Sequence, residues 1–177
     1  MKFFSSTKSA VDIVDDALFF PLFEDDSGSK ELAIIDKKLN NVLLSILKAK
    51  DFKGELGETF LLNTNNLLPA KRLFLLGLGK QKEFSEERFR KAVGSAAKRA
   101  KNLSILNFSL CTHHISLEPY VLGKVVAEAV VLSNYTFDTY KTKDKKKSLE
   151  SITLCHDSDD AKVKQGLHDA EIISSSS

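Results

Sequence analysis

The sequence predicts an α/β fold: a three-layer sandwich in which helices flank a mixed, mostly parallel sheet. Three observations carry this expectation. Apolar runs of strand length alternate with helix-like periodic stretches along the chain, the pattern of successive βα units. The run "KRLFLLGLG" (71 to 79) is apolar almost throughout, as a strand buried on both faces requires. From Glu31 to Lys48 the apolar residues Leu32, Ile35, Leu39, Val42, Leu43, Ile46 and Leu47 recur at three and four, which predicts one amphipathic helix with a buried stripe.

The remaining elements follow in order. "DALFFPLFED" (16 to 25) predicts a strand, and Pro21 within it points to a sheet edge or a bulge. Asp25, Asp26, Ser27, Gly28 and Ser29 form a turn cluster. Gly54 and Gly57 break the chain before "ETFLLNT", a short strand. Ser85 suits a helix N-cap, with Glu86 and Glu87 in the first turn where the helix dipole favours acids. Phe89, Ala92, Val93, Ala96, Ala97 and Ala100 give that helix an apolar face. Arg88, Arg90, Lys91, Lys98, Arg99 and Lys101 give it a basic one. "LSILNFSLC" (103 to 111) is a further strand, and Glu118 to Leu132 an apolar helix with Pro119 in its first turn. "SITLCH" (151 to 156) is the last strand, followed by a helix from Asp157 to Ile173. No internal repeat is visible. The closing "GLHDAEIISSSS" stops inside or just after a helix; its four serines read either as a solvated tail or, the favoured reading, as a helix cut short.

Bulk properties narrow the class. The chain has 177 residues, 42% hydrophobic and 28% charged, the profile of a soluble globular domain with a sizeable core. Eleven of its 12 phenylalanines precede His113, so the early part supplies most of the aromatic core. A formal charge of +2 argues against a dedicated nucleic-acid or anionic-membrane surface. No apolar run is long enough to span a bilayer, and "MKFFSSTKSAVDIVDD" meets acids before any apolar core of a secretory signal forms. Cys111 and Cys155 lack metal-ligand spacing, and two reduced thiols in the cytoplasm are the simplest reading.

Motifs that could carry chemistry are weak when read individually. "LFLLGLGKQKEFSEERFRKAVG" (73 to 94) has the layout of a phosphate-binding loop. Yet Lys82 stands where a dinucleotide fingerprint needs its third glycine, and Gln81 follows Gly79-Lys80 where a P-loop needs Ser or Thr. The helix also starts several residues past the glycines. The loop therefore reads as a tight corner between a strand and a helix. Neighbouring His113 and His114 would point to opposite faces of a strand and read as exposed loop residues. His156, Asp157, Asp159 and Asp160 lack the glycine and terminal glutamate of a calcium loop, and read as acids at a helix start. His168 has no evident ligand partner. Cys111 lies near His113 without a nucleophile elbow, so a buried thiol is the better reading. The lysine run "KTKDKKK" (141 to 147) reads as a solvated connector. No catalytic, metal-binding or ligand-binding residue is assigned.

Three longer segments are more informative together: "IDKKLNNVLLSILKAKDFKGELGETFLL" (35 to 62), "LPAKRLFLLGLGKQKEFSEERFRKAVGSAAKRAK" (68 to 101) and "VAEAVVLSNYTFDTYKTKDKKKSLESITL" (126 to 154). In order and spacing they resemble the N-terminal domain of the leucine aminopeptidase (cytosol aminopeptidase) family. "DFKGELGET", "KRLFLLGLGK" and "YTFDTYK" are the most specific pieces. The resemblance implies a macro-domain-like fold over 1 to 177, a non-catalytic N-terminal domain joined by a helix to a C-terminal catalytic domain. It implies that the parent is a cytoplasmic homohexamer releasing N-terminal residues from peptides. It further implies that two divalent ions, zinc or manganese, sit in the catalytic domain on lysine, aspartate and glutamate ligands. There a lysine, an arginine and a bicarbonate would assist hydrolysis. None of those motifs lies in this chain, so it carries no cofactor, and alone it is expected to be inactive. The expected role of the domain is assembly and active-site access. The macro-like fold leaves binding of ADP-ribose or a related nucleotide as an alternative reading. DNA contact through the basic helix face and the lysines at 141 to 147 is a weaker one.

Overall fold

The computed structural model describes residues 1–26, 29–139 and 148–176. Six strands form one sheet: β1 (Lys2–Ser6), β2 (Ala17–Leu22), β3 (Thr59–Asn63), β4 (Arg72–Gly77), β5 (Asn107–Cys111) and β6 (Ser151–Cys155), in the order β1-β6-β5-β2-β4-β3. Every neighbouring pair is parallel except β3 with β4. Five helices pack on it: α1 (Lys30–Lys38), α2 (Val42–Lys48), α3 (Glu86–Asn102), α4 (Pro119–Thr139) and α5 (Asp160–Ser176). The three-layer, mostly parallel sandwich expected from the alternating pattern is present.

The sheet separates two apolar clusters. On one face Phe19, Phe74, Phe108, Leu110 and Leu154 meet the buried sides of α3, α4 and α5. Phe19 stacks on Phe74 at 4.4 Å and tilts against Phe108 at 4.8 Å. On the other face Leu18, Phe20, Leu73, Leu75, Cys111 and Cys155 meet α1, α2 and the turn at Ala10–Asp12. This division follows from strand alternation, since residues two apart share a face.

Several expectations need correction. The stretch 31 to 48 is two helices, because Asn40 and Asn41 both take left-handed backbone (φ 56° and 66°). The buried Asp36 side chain then accepts from Leu43 N (2.9 Å) and Leu44 N (3.2 Å), capping the second helix. The apolar stripe survives the break: Leu32, Ile35, Leu39, Leu43 and Ile46 are all buried. Pro21 marks neither an edge nor a bulge; β2 is a central strand, buried throughout. Pairing of β2 with β5 ends at Phe19–Leu110, so the missing N–H of Pro21 faces a side where the ladder has already stopped. The N-terminal segment, where the sequence offers no strand signal, is edge strand β1 beside β6. Lys101 does not lie on a solvated basic face; its side chain is fully buried and its amine donates to Asn134 O at 3.4 Å.

Helix α3 is built as its sequence implies. Ser85 Oγ accepts from Arg88 N at 3.2 Å. Its far end closes with Ser104 in left-handed backbone, where Ile105 N donates back to Ala100 O at 2.9 Å. Among the described residues no helix is long and apolar enough to cross a membrane.

Candidate functional site

The glycine loop is a knot of three chain segments. Gly77 N donates to Glu58 O (2.7 Å), Leu78 N to Leu22 O (2.9 Å) and Gly79 N to Gly54 O (2.8 Å). Gly57 N donates to Gly77 O and Glu24 N to Gly79 O, both at 2.9 Å. Three successive amides that a phosphate would need are thus committed to protein carbonyls. Gly54 and Gly79 have positive φ (83° and 76°), and a side-chain carbon on Gly77 would lie 1.8 Å from Glu55 O. The Glu58 carboxylate braces the same corner by accepting from Lys53 N (3.2 Å) and Glu55 N (3.1 Å). The strand-to-helix corner expected from the failed phosphate templates is what the backbone forms.

In an open parallel sheet, ligands gather beyond the carboxyl ends of the strands where the connections diverge. Here that point lies between β2 and β5. The chain leaves β2 through α1 and α2 on one face, and leaves β5 through α4 on the other. His114 occupies the gap. Its ring stacks on Phe20 at 4.8 Å, and its Nε2 meets the carbonyl of Pro21. Burial pushes its pKa down, so the neutral ring donates through Nε2 and leaves Nδ1 buried without a partner. His114 is therefore a packed residue, a correction to the exposed-loop expectation. His113 is half-buried, its Nδ1 3.3 Å from Cys111 Sγ and its Nε2 buried and unpaired.

Cys111 and Cys155 are register partners at the ends of β5 and β6, and both thiols are free. Burial raises Cys111 far above the ordinary thiol range and pushes Cys155 up to about 12. Neither supplies a thiolate at neutral pH, so the Cys111–His113 contact is not an activated nucleophile. Past the end of β2 an open cleft of about 500 Å³ is lined by residues that include Phe23, Glu24, Asp26, Lys50, Phe52 and Lys53. Its lining acids, Glu24 and Asp26, are matched by Lys50 and Lys53.

The acidic cluster at the last helix is a staple. Asp159 Oδ1 accepts from Ala161 N (3.1 Å) and Lys162 N (3.3 Å), the N-capping role expected of it. Asp160 accepts from Ser5 Oγ (2.7 Å) and His156 Nε2 (2.9 Å), and pairs with Lys164 (3.0 Å). His156 is fully buried and its Nδ1 accepts from Ser158 N at 3.0 Å, which places the ring proton on Nε2. These bonds hold its Asp160 well below the usual carboxylate range, at about 2, with the Ser5 hydroxyl the largest cause and Lys164 next. Ser5 donates to the carboxylate and not to the imidazole, so the trio lacks the order of a hydrolytic triad. His168 is exposed. Among the described residues no three His, Cys, Asp or Glu side chains gather to hold a metal ion. The lysine run at 141 to 147 lies outside the described residues.

Comparison with known proteins places this architecture. The profile of the cytosol aminopeptidase family, N-terminal domain, matches residues 19–144. A probable cytosol aminopeptidase of Alkaliphilus metalliredigens (strain QYMF) is 33% identical over 148 residues, 80% of this chain and 29% of that protein. A tomato leucine aminopeptidase mutant superposes with a TM-score of 0.80 at 21% identity, over 99% of this chain and 36% of the other. The macrodomain of Thermus aquaticus DarG matches with a TM-score of 0.62 at 12% identity, over 87% of this chain and 97% of its own. The fold is thus macrodomain-like. The chain belongs to the cytosol aminopeptidase family, in whose N-terminal domain its sequence falls. It spans between 23% and 30% of the length of the curated relatives it matches.

Proposed function

We propose that residues 1 to 177 form the non-catalytic N-terminal domain of a cytosolic, metal-dependent leucyl aminopeptidase. In this reading the domain packs against the catalytic domain, helps the hexamer assemble and controls access of peptides to the active site. The observation that carries it is the family match over residues 19–144, in relatives of which this chain covers only the smaller part. The chemistry of the carboxylates agrees. Asp36, Glu58, Asp159 and Asp160 are spent on capping helices and bracing loops, a donor set that does not fit a two-metal centre. In this reading the divalent ions belong to the catalytic domain. Incubated with leucyl-p-nitroanilide and manganese or zinc, the chain alone should give no turnover. Joined to the catalytic domain of its own protein, it should accompany metal-dependent release of leucine. Turnover by the chain alone, or an equally active hexamer without it, would overturn the proposal.

A second reading, a module for ADP-ribose, is favoured by the macrodomain likeness alone. His114 seated between β2 and β5 speaks against it, because that ring would have to leave Phe20 to open the gap. Saturable calorimetric heats with ADP-ribose would restore this reading, and silence at millimolar ligand would remove it.

A further inference from the structure

Helices α3 and α4 leave a groove of about 330 Å³ on the outer face of the sandwich. Its floor is made by small residues, Gly94, Ala129 and Ser133, with Ser133 Oγ bonded to Gly94 O at 3.4 Å. One wall presents Leu132, which is 60% exposed although it sits on an otherwise apolar and largely buried helix. The other presents Lys91 and Lys98, both exposed and without an ion-pair partner among the described residues. At one end Arg90 is held by Glu87 (2.8 Å) and Glu128 (3.1 Å), so the nearby acids are already turned onto an arginine. These two lysines are seven residues apart, two helical turns or about 10 Å along the axis.

We propose that this groove docks an acidic amphipathic helix of a partner protein. The partner would present one apolar side chain beside Leu132, and carboxylates two turns apart against Lys91 and Lys98. Small floor residues let a helix approach closely, the exposed leucine offers an apolar anchor, and the lysine spacing sets the charge pattern it selects. A nucleic-acid surface has the opposite make-up, since phosphate contacts use cations and leave an apolar side chain at the centre unused. The proposal goes beyond the accessory role above and does not depend on it.

The test uses the 177-residue chain and a fluorescein-labelled, end-capped helical peptide built on alanine and glutamine. The peptide carries two glutamates seven positions apart and a leucine midway between them. Anisotropy should show saturable binding with a Kd on the order of 100 µM, as fits a small transient contact. Leu132→Asp should weaken binding at least tenfold, and so should the double change Lys91→Glu with Lys98→Glu. A peptide with lysines for the glutamates should recover binding to that double variant. All three positions are solvent-facing, so circular dichroism should be unchanged in each variant. Absence of binding at millimolar peptide would overturn the proposal. So would binding indifferent to Leu132→Asp. Tighter, steeply salt-dependent binding of duplex DNA at the same lysines, again indifferent to Leu132→Asp, would overturn it in favour of a nucleic-acid surface.

Discussion

Asp160 joins three parts of the chain through one carboxylate: Ser5 of β1, His156 just after β6, and Lys164 on α5. Its depressed pKa makes the ionised form part of the folded state. That stabilisation is fully present above the ordinary carboxylate range of about 4, and is lost as pH falls through about 2. The side chain is 36% exposed, so solvent screens the ion pair with Lys164 and the hydroxyl bond is the sturdier part. Urea midpoints measured between pH 5 and pH 2 should fall in the wild-type chain, and fall less steeply in Asp160→Ala. Parallel curves for the two proteins would show that Asp160 does not couple folding to protons. Residues of this kind hide in a sequence. "HDSDD" reads as acids at a helix start, and that part was legible because capping is local. Ser5, 155 positions away, could not be anticipated, since only the β1–β6 pairing brings it to the carboxylate.

At the scale of elements, α4 and α5 meet through glycines. A side-chain carbon on Gly123 would lie 2.2 Å from Val163 O, and one on Gly166 would lie 2.0 Å from Tyr120 O. The two backbones therefore touch across a crossing that no larger residue permits. Gly123→Ala or Gly166→Ala must push the helices apart and strip contacts from Val163, Leu167 and Ala170 against the core, at about 3 kcal/mol each. Once one alanine has separated the helices, the second has less left to disrupt, so the double variant should cost less than the sum of the singles. Additive losses in thermal or urea unfolding would refute a shared crossing. The glycines were visible in the sequence, but their reason was not, because a helical glycine looks the same whether it faces solvent or another backbone. Strand β4 and helix α3 were legible for the opposite reason: an unbroken apolar run and a capped amphipathic pattern declare burial locally. Asn40 and Asn41 could have signalled the split of α1 from α2, since asparagine is the side chain that most readily accepts left-handed backbone. The regular apolar spacing on either side masked that signal. In sequence His114 has an exposed look because nothing nearby announces Phe20 as its neighbour.

For the molecule as a whole, the sheet is the shared wall of two cores, and its strands are not equally held. β2, β4 and β5 lie inside the sheet with apolar side chains buried on both faces, so their amides are released only when both clusters come apart. β1 has a single ladder neighbour, β6, and its Phe4 is half exposed. Besides that ladder it is held by Phe3, packed against the core, and by the Ser5–Asp160 bond. Native-state hydrogen exchange should accordingly rank β2, β4 and β5 slowest, near the global unfolding limit, with β1 and the other edge strand β3 faster. Asp160→Ala should speed exchange across Lys2–Ser6 by more than it speeds β4. Loss of the Ser5 tie favours opening of the edge strand, whereas β4 answers only to global stability. If β1 and β4 instead accelerate by the same factor, the staple acts on the whole fold and the edge strand is no separate unit. A selective effect would mean that the N-terminal strand can open while both cores stay intact.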